Sequence, residues 1–168
     1  MAAASEEQVP PLTARIREGN QLREEGRIEE ARELFLSVWD EANESHDLYH
    51  ACAVAHQLGV LDPTPFDKKL HWHLESLRLA DAMEEVPEHW YTSMYLSAAY
   101  AYFHLGKLGE AEAAYQRAAA SLVHGDRSEY AQGVKDAIAR GLKRLQECRH
   151  RGASRGSRVT VYAAGERL

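Results

Sequence analysis

Apolar residues recur at three- and four-residue steps along most of the chain, the spacing of amphipathic helices. Between 28 and 44, Ile28, Ala31, Leu34, Phe35, Val38 and Ala42 fall on one face. The stretch "WYTSMYLSAAYAYFHL" from Trp90 is apolar nearly all round, which predicts a helix buried on several sides. Breaks fall at Pro10 and Pro11, Pro63 and Pro65, and Pro87, and no other proline interrupts the pattern. Gly26, Gly59 and Gly106 stand where a left-handed residue would end a helix. Asp126 or Ser128 can cap the last one. Seven helices follow, over 12–25, 28–44, 46–59, 66–83, 88–105, 108–123 and 128–148. Strand-like alternation occurs only in "RVTVYA" near the C-terminus.

One phrase is written twice. "EGRIEEARELFLSVWDEA" from Glu25 and "LGKLGEAEAAYQRAAASL" from Leu105 share a Gly, a Glu-Ala and an aromatic four residues after that Ala. Repeated helix-turn-helix phrases of this length mark units that stack because no single pair can bury its apolar face.

The spacing resembles the tetratricopeptide repeat (TPR) family. Its pattern places small residues at positions 8, 20 and 27 and large ones at 4, 11 and 24. Counted from Leu12, Gly19, Leu22, Ala31 and Phe35 occupy positions 8, 11, 20 and 24. Counted from Thr92, Tyr95, Ala99, Tyr102, Ala111, Tyr115 and Ala118 occupy 4, 8, 11, 20, 24 and 27. The middle unit is irregular. Gly59 sets a register with Cys52 at position 8, whereas Leu70, Leu74 and Leu77 fit a register six residues later, the turn "VLDPTPFD" absorbing the insertion. "HACAVAH", "LHWHLESLRLADA" and "LGKLGEAEAAY" together also resemble short bacterial TPR proteins. The resemblance implies an all-α, right-handed α-solenoid with units over about 12–45, 46–83 and 88–123 and a capping helix over 128–148. Residues 1–11 and 149–168 would be disordered flanks.

Charge and composition narrow the function classes. The chain has 168 residues, 45% apolar and 27% charged, so one helical domain with a real core is expected. Net charge is -6. From Arg149 onward five Arg stand against one Glu, so that tail is +4 and residues 1–148 carry -10. Nucleic acid is therefore not an expected partner of the body, and only the basic tail could touch it. Cys52 and Cys148 form no CxxC pair, which fits a reducing compartment. "MAAASEEQVPP" lacks the basic and apolar regions of a secretory leader, and no run reaches the ~18–20 apolar residues of a membrane span. A cytoplasmic chain without membrane contact is expected.

The resemblance also implies that the first helix of each unit lines a concave groove. Carried over residue by residue, the first unit offers Thr13, Ile16, Asn20, Arg23 and Glu24. The second offers His46, Tyr49, Ala53, His56 and Gln57 with His50 beside them, and the third Ser93, Leu96, Tyr100, Phe103 and His104. Asn20 takes the place of the Asn with which carboxylate-binding members hold a peptide C-terminus, but the Lys or Arg they need on later units is His, Tyr or Ser here. An aromatic and amide-rich groove fits an extended or helical peptide better.

"HDLYH" sets His46 and His50 one helical turn apart, the geometry of a two-imidazole metal site, without a third ligand at a recognisable spacing. The bland alternative is a cap at Ser45 and Asp47 with a packed His. His71 and His73, at i and i+2, point to different faces, and Trp72 reads as packing between units. Cys52 reads as a small core residue and Cys148 as a more exposed thiol. Neither phosphate-cradling glycines nor a matched nucleophile and base is present, so no cofactor and no enzymatic activity are expected. The expected function is a protein- or peptide-binding scaffold or adaptor. A sensor binding a small molecule or signalling peptide in the same groove is the alternative. The third reading is a metal-assisted enzyme using His46, His50 and a neighbour such as His56 or His104.

Overall fold

The computed structural model describes residues 11–122 and 128–163, with side chains up to 151. It is all-helical, with no strand among the described residues. The helices are α1 (Pro11–Glu24), α2 (Ile28–Glu44), α3 (Leu48–Val60), α4 (Phe66–Asp81), α5 (Trp90–His104), α6 (Leu108–Ala120) and α7 (Glu129–Ala163). No helix among the described residues is long and apolar enough to cross a membrane. The segment 1–10, the residue Asp126 and the end of the tail, 164–168, lie outside the described residues.

Consecutive helices pack against one another, and α1 meets α3, α3 meets α5 and α5 meets α7. The short turns make neighbours antiparallel. Arg15 of α1 pairs with Glu41 at the far end of α2, while Gly19 faces Phe35 nearer the turn. Thr92 of α5 and Ser121, which follows α6, share a 3.0 Å hydrogen bond, and Arg117 lies over the Tyr95 ring.

The twice-written phrase is one device used twice. Gly26 and Gly106 take φ of +78° and +73°. At the first turn Gly26 N–H donates to the Arg23 carbonyl and Arg27 N–H to that of Leu22; at the second Gly106 donates to Phe103 and Lys107 to Tyr102. These paired bonds satisfy carbonyls that a helix end leaves open. His46 plays the same part between α2 and α3 with φ +58°, so it stands in the turn rather than on α3. Ser128 caps α7, its hydroxyl accepting from Ala131 N–H at 3.1 Å.

Three expectations change. Gly59 does not end a helix; it lies buried inside α3, where a Cβ would overlap the His73 imidazole. The buried face of α4 runs through Leu70, His73, Ser76, Leu77 and Ala80, which leaves Leu74 exposed. The helix α7 runs beyond 148 to Ala163, through the expected disordered stretch and the "RVTVYA" alternation. An established helix gains one backbone hydrogen bond per added residue, no proline stands in its way, and Arg149 donates to both Glu112 carboxylate oxygens, at 3.2 and 2.7 Å.

Gly19 under the Phe35 ring and Gly141 under the Tyr115 ring mark the same close approach as Gly59 under His73. Gly141→Ala should destabilise by about 1–3 kcal/mol through overpacking. By contrast Gly109, with open space around it in α6, should gain about 0.5–1 kcal/mol on replacement by Ala. Urea unfolding of both variants checks this, and equal effects would mean that Gly141 is not a contact point.

Candidate functional site

Side chains of α1, α3 and α5 tie these helices together along one side. Thr13 Oγ1 and His50 Nε2 share a 2.7 Å hydrogen bond, and His50 Nδ1 meets Asp47 Oδ2 at 2.6 Å. Arg23 donates to Gln57 Oε1 at 3.0 Å. His56 Nε2 and Ser93 Oγ lie 3.0 Å apart. Asn20 Oδ1 is buried without a hydrogen-bond partner. Tyr49, 46% exposed, leans on Trp90 with ring centroids 5.0 Å apart. At the other end Tyr100, 43% exposed, and His104 close on Phe66, the His104 and Phe66 rings stacked at 4.2 Å. Phe103 touches His104 edge-on.

Two cavities follow one another along a seam walled by α3, α4, α5 and α7. The first, about 340 Å³, is walled by Cys52, His56, Trp90, Ser93, Met94 and Tyr130. The second, about 310 Å³, is walled by His73, Lys69, Leu96, Tyr100, Arg140 and Arg144. Between them stand His56 and His73, ring centroids 5.3 Å apart, each with a buried Nδ1 that has no partner. A buried nitrogen left open is costly in a folded protein, so each is a place where a ligand or water would be held.

Burial, and after it a different neighbouring cation for each ring, keeps the pair neutral. His56 is lowered to about 4, first by burial and then by the Arg23 charge. His73 is lowered to about 3 by burial, then by His56 and Lys69, against a hydrogen bond to the Gly59 backbone that works the other way. At neutral pH each ring therefore carries one N–H donor and one acceptor nitrogen. Burial also pushes the Cys52 thiol up, and its Sγ donates to the Ser76 carbonyl at 3.2 Å, which is the behaviour of a core residue.

The order hydroxyl, imidazole, carboxylate in Thr13, His50 and Asp47 is that of a nucleophilic triad, but neither cavity includes Thr13. Its effect is to bind α1 to α3. The same bonds occupy both nitrogens of His50, and His46 lies outside α3, so the two do not present a paired imidazole face. Among the described residues no group of three or more His, Cys, Asp or Glu side chains is placed to hold a metal ion. Trp72 packs edge-on against Trp39 at 5.1 Å, joining α4 to α2.

Lys69, His73, Trp90, Tyr130, Arg140 and Arg144 escaped the groove expectation. His73 was legible, because it falls on the apolar spacing Leu70, His73, Leu77 where a polar ring must be buried. The α7 residues were not, because only the path of that helix brings them to the seam. No protein-family model matches the chain, and neither a curated protein nor a solved structure matches it.

Both imidazoles have folded-state values below their unfolded value of ~6.5. Below that pH the unfolded chain binds protons that the folded chain refuses. Stability is therefore complete above pH ~6.5 and falls as pH drops toward 4. Between pH 7 and 5 the loss should be ~2 kcal/mol per imidazole, and His56→Gln should remove about half of the total. Urea titrations at both pH values test this; flat stability would mean that both rings titrate freely.

Proposed function

We propose that this chain is a binding module, a scaffold or adaptor built as a TPR-like α-solenoid, whose α1–α3–α5 face receives an extended segment of a partner protein. The observation that carries the reading is the pair of consecutive cavities on one seam, flanked by exposed Tyr49 and Tyr100. Exposed aromatics beside preformed hollows are what a peptide needs: the rings cover its backbone and the hollows take its side chains. The open Nδ1 atoms of His56 and His73 and the open Asn20 Oδ1 add polar groups that can select orientation. The repeated turns and the contacts of α1 with α3 and α3 with α5 support the stacked architecture.

A small-molecule sensor is the second reading. Its support is the size of the cavities, which fall near the lower end of the ~300–1,000 Å³ typical of ligand sites.

Peptide display on the intact chain should select binders whose affinity drops at least about tenfold on Tyr49→Ala/Tyr100→Ala, since each exposed aromatic anchor contributes on the order of 1 kcal/mol or more. Both side chains are partly solvated, so circular dichroism should show an unchanged fold. Binders that hold the double variant equally well would remove the face from the reading. Absence of peptide binders, with small molecules that raise the melting temperature of the intact chain but not of Trp90→Ala, would favour the sensor.

A further inference from the structure

The second cavity has a charge pattern out of keeping with a chain of net charge -6. Lys69 is only 7% exposed, although Lys is rarely buried without compensation. Its Nζ donates to Asp62 Oδ1 at 2.5 Å, but the Asp62 side chain is 82% exposed, so water screens much of that carboxylate charge. Arg140 and Arg144, one turn apart on α7, face the same hollow. Arg144 lies 5.8 Å from the centroid of the Phe103 ring, with its Nε toward the Arg140 carbonyl at 3.4 Å. Neither guanidinium pairs with a carboxylate among the described residues. Three cations thus converge with one acid, a local excess of two positive charges. The buried, unpartnered Nδ1 of His73 and the hydroxyl-bearing Ser97 and Tyr100 belong to the same wall.

The Asp62 carboxylate and the Phe103 ring offset only part of this charge. Cations crowded beside a half-buried hollow repel one another, and a dianion between them would turn that repulsion into charge-assisted hydrogen bonds. We propose that the cavity formed by Lys69, His73, Arg140 and Arg144 binds a phosphate monoester dianion. Guanidinium forks on α7 would grip the terminal oxygens, Lys69 would supply the point charge, and a protonated His73 ring would donate from Nδ1. The phosphate has two possible sources, a phosphorylated side chain of the bound peptide or a small phosphorylated metabolite. The site itself does not depend on the peptide-binding reading; only the first source does.

A bound dianion has a second consequence. His73 is surrounded by His56 of α3, Lys69 of its own helix, Arg140 and Arg144 of α7, and Tyr100 and Tyr115 of α5 and α6, with Asp62 the single carboxylate. Burial first, and then His56 and Lys69, hold the ring neutral, and a dianion works against the second of these causes.

The test is a titration of the full chain with inorganic phosphate at constant ionic strength, chloride serving as the reference, followed by the imidazole nitrogen resonances of His73. The expected result is a saturable shift, an upward move of the His73 titration in phosphate, and at least tenfold weaker binding by Arg140→Gln/Arg144→Gln with its helical dichroism intact. A linear, non-saturating response, or equal binding by the double variant, overturns the site. Serine-phosphorylated and unmodified forms of a display-selected peptide then separate the sources. Tenfold tighter binding of the phosphorylated form, lost in the Arg double variant, assigns the phosphate to a peptide. Saturable binding of glycerol phosphate without that gain assigns it to a metabolite. Loss of peptide binding in Tyr49→Ala/Tyr100→Ala with phosphate binding retained would show that the two readings stand apart.

Discussion

Gly19 under Phe35, Gly59 under His73 and Gly141 under Tyr115 express one constraint. Two helices can lie close only where one presents no side chain to the ring of the other. The rest of the packing follows from those contacts. They fix the depth at which α1 sits on α2, α3 on α4 and α7 on α6. Ala31, Phe35, Val38 and Ala42 are then wholly buried on one side of α2. In the middle pair the ring at the contact is an imidazole. Filling a hydrophobic role with a polar ring leaves an open nitrogen in the interior, and the seam beside it is where the cavities occur.

The two hollows differ in chemistry although α3, α4, α5 and α7 contribute to both. Near the N-terminal end of α3, Cys52, Met94 and Trp90 make the lining soft and apolar, with His56 and Ser93 as the polar edge. Near its C-terminal end the lining turns cationic, because α4 contributes Lys69 and α7 contributes Arg140 and Arg144. The His56–His73 pair divides the halves. Each ring is kept uncharged by burial and by the cations around it, so the boundary between an apolar and a charged compartment is itself neutral.

How much of this was legible depends on whether a residue acts through local spacing or through the path of a distant helix. The turns at Gly26 and Gly106 were readable, since only a left-handed residue closes a helix into such a short connection. Gly59 looked the same and was not, because a glycine demanded by a neighbouring ring and one demanded by φ leave the same letter. Leu74 fitted the apolar step, yet the face of α4 had already been set by Leu70 and Leu77 with His73 between them. His46 and His50 fitted a metal spacing, but the helix begins after His46, where Asp47 caps it by accepting from His50 N–H at 3.0 Å. The second cavity joins residues as far apart in the chain as Lys69 and Arg140, and no periodicity reports such a meeting.

Tyr115 belongs to two places at once. Its ring receives the backbone of α7 at Gly141, and it forms part of the wall of the cationic hollow. The helix that closes the end of the core is thus the one that brings Tyr130, Arg140 and Arg144 to the seam. The terminal helix serves the core and the hollows together. An insertion of one more helix pair before α7 would leave α1 to α6 as they are and still dismantle both hollows.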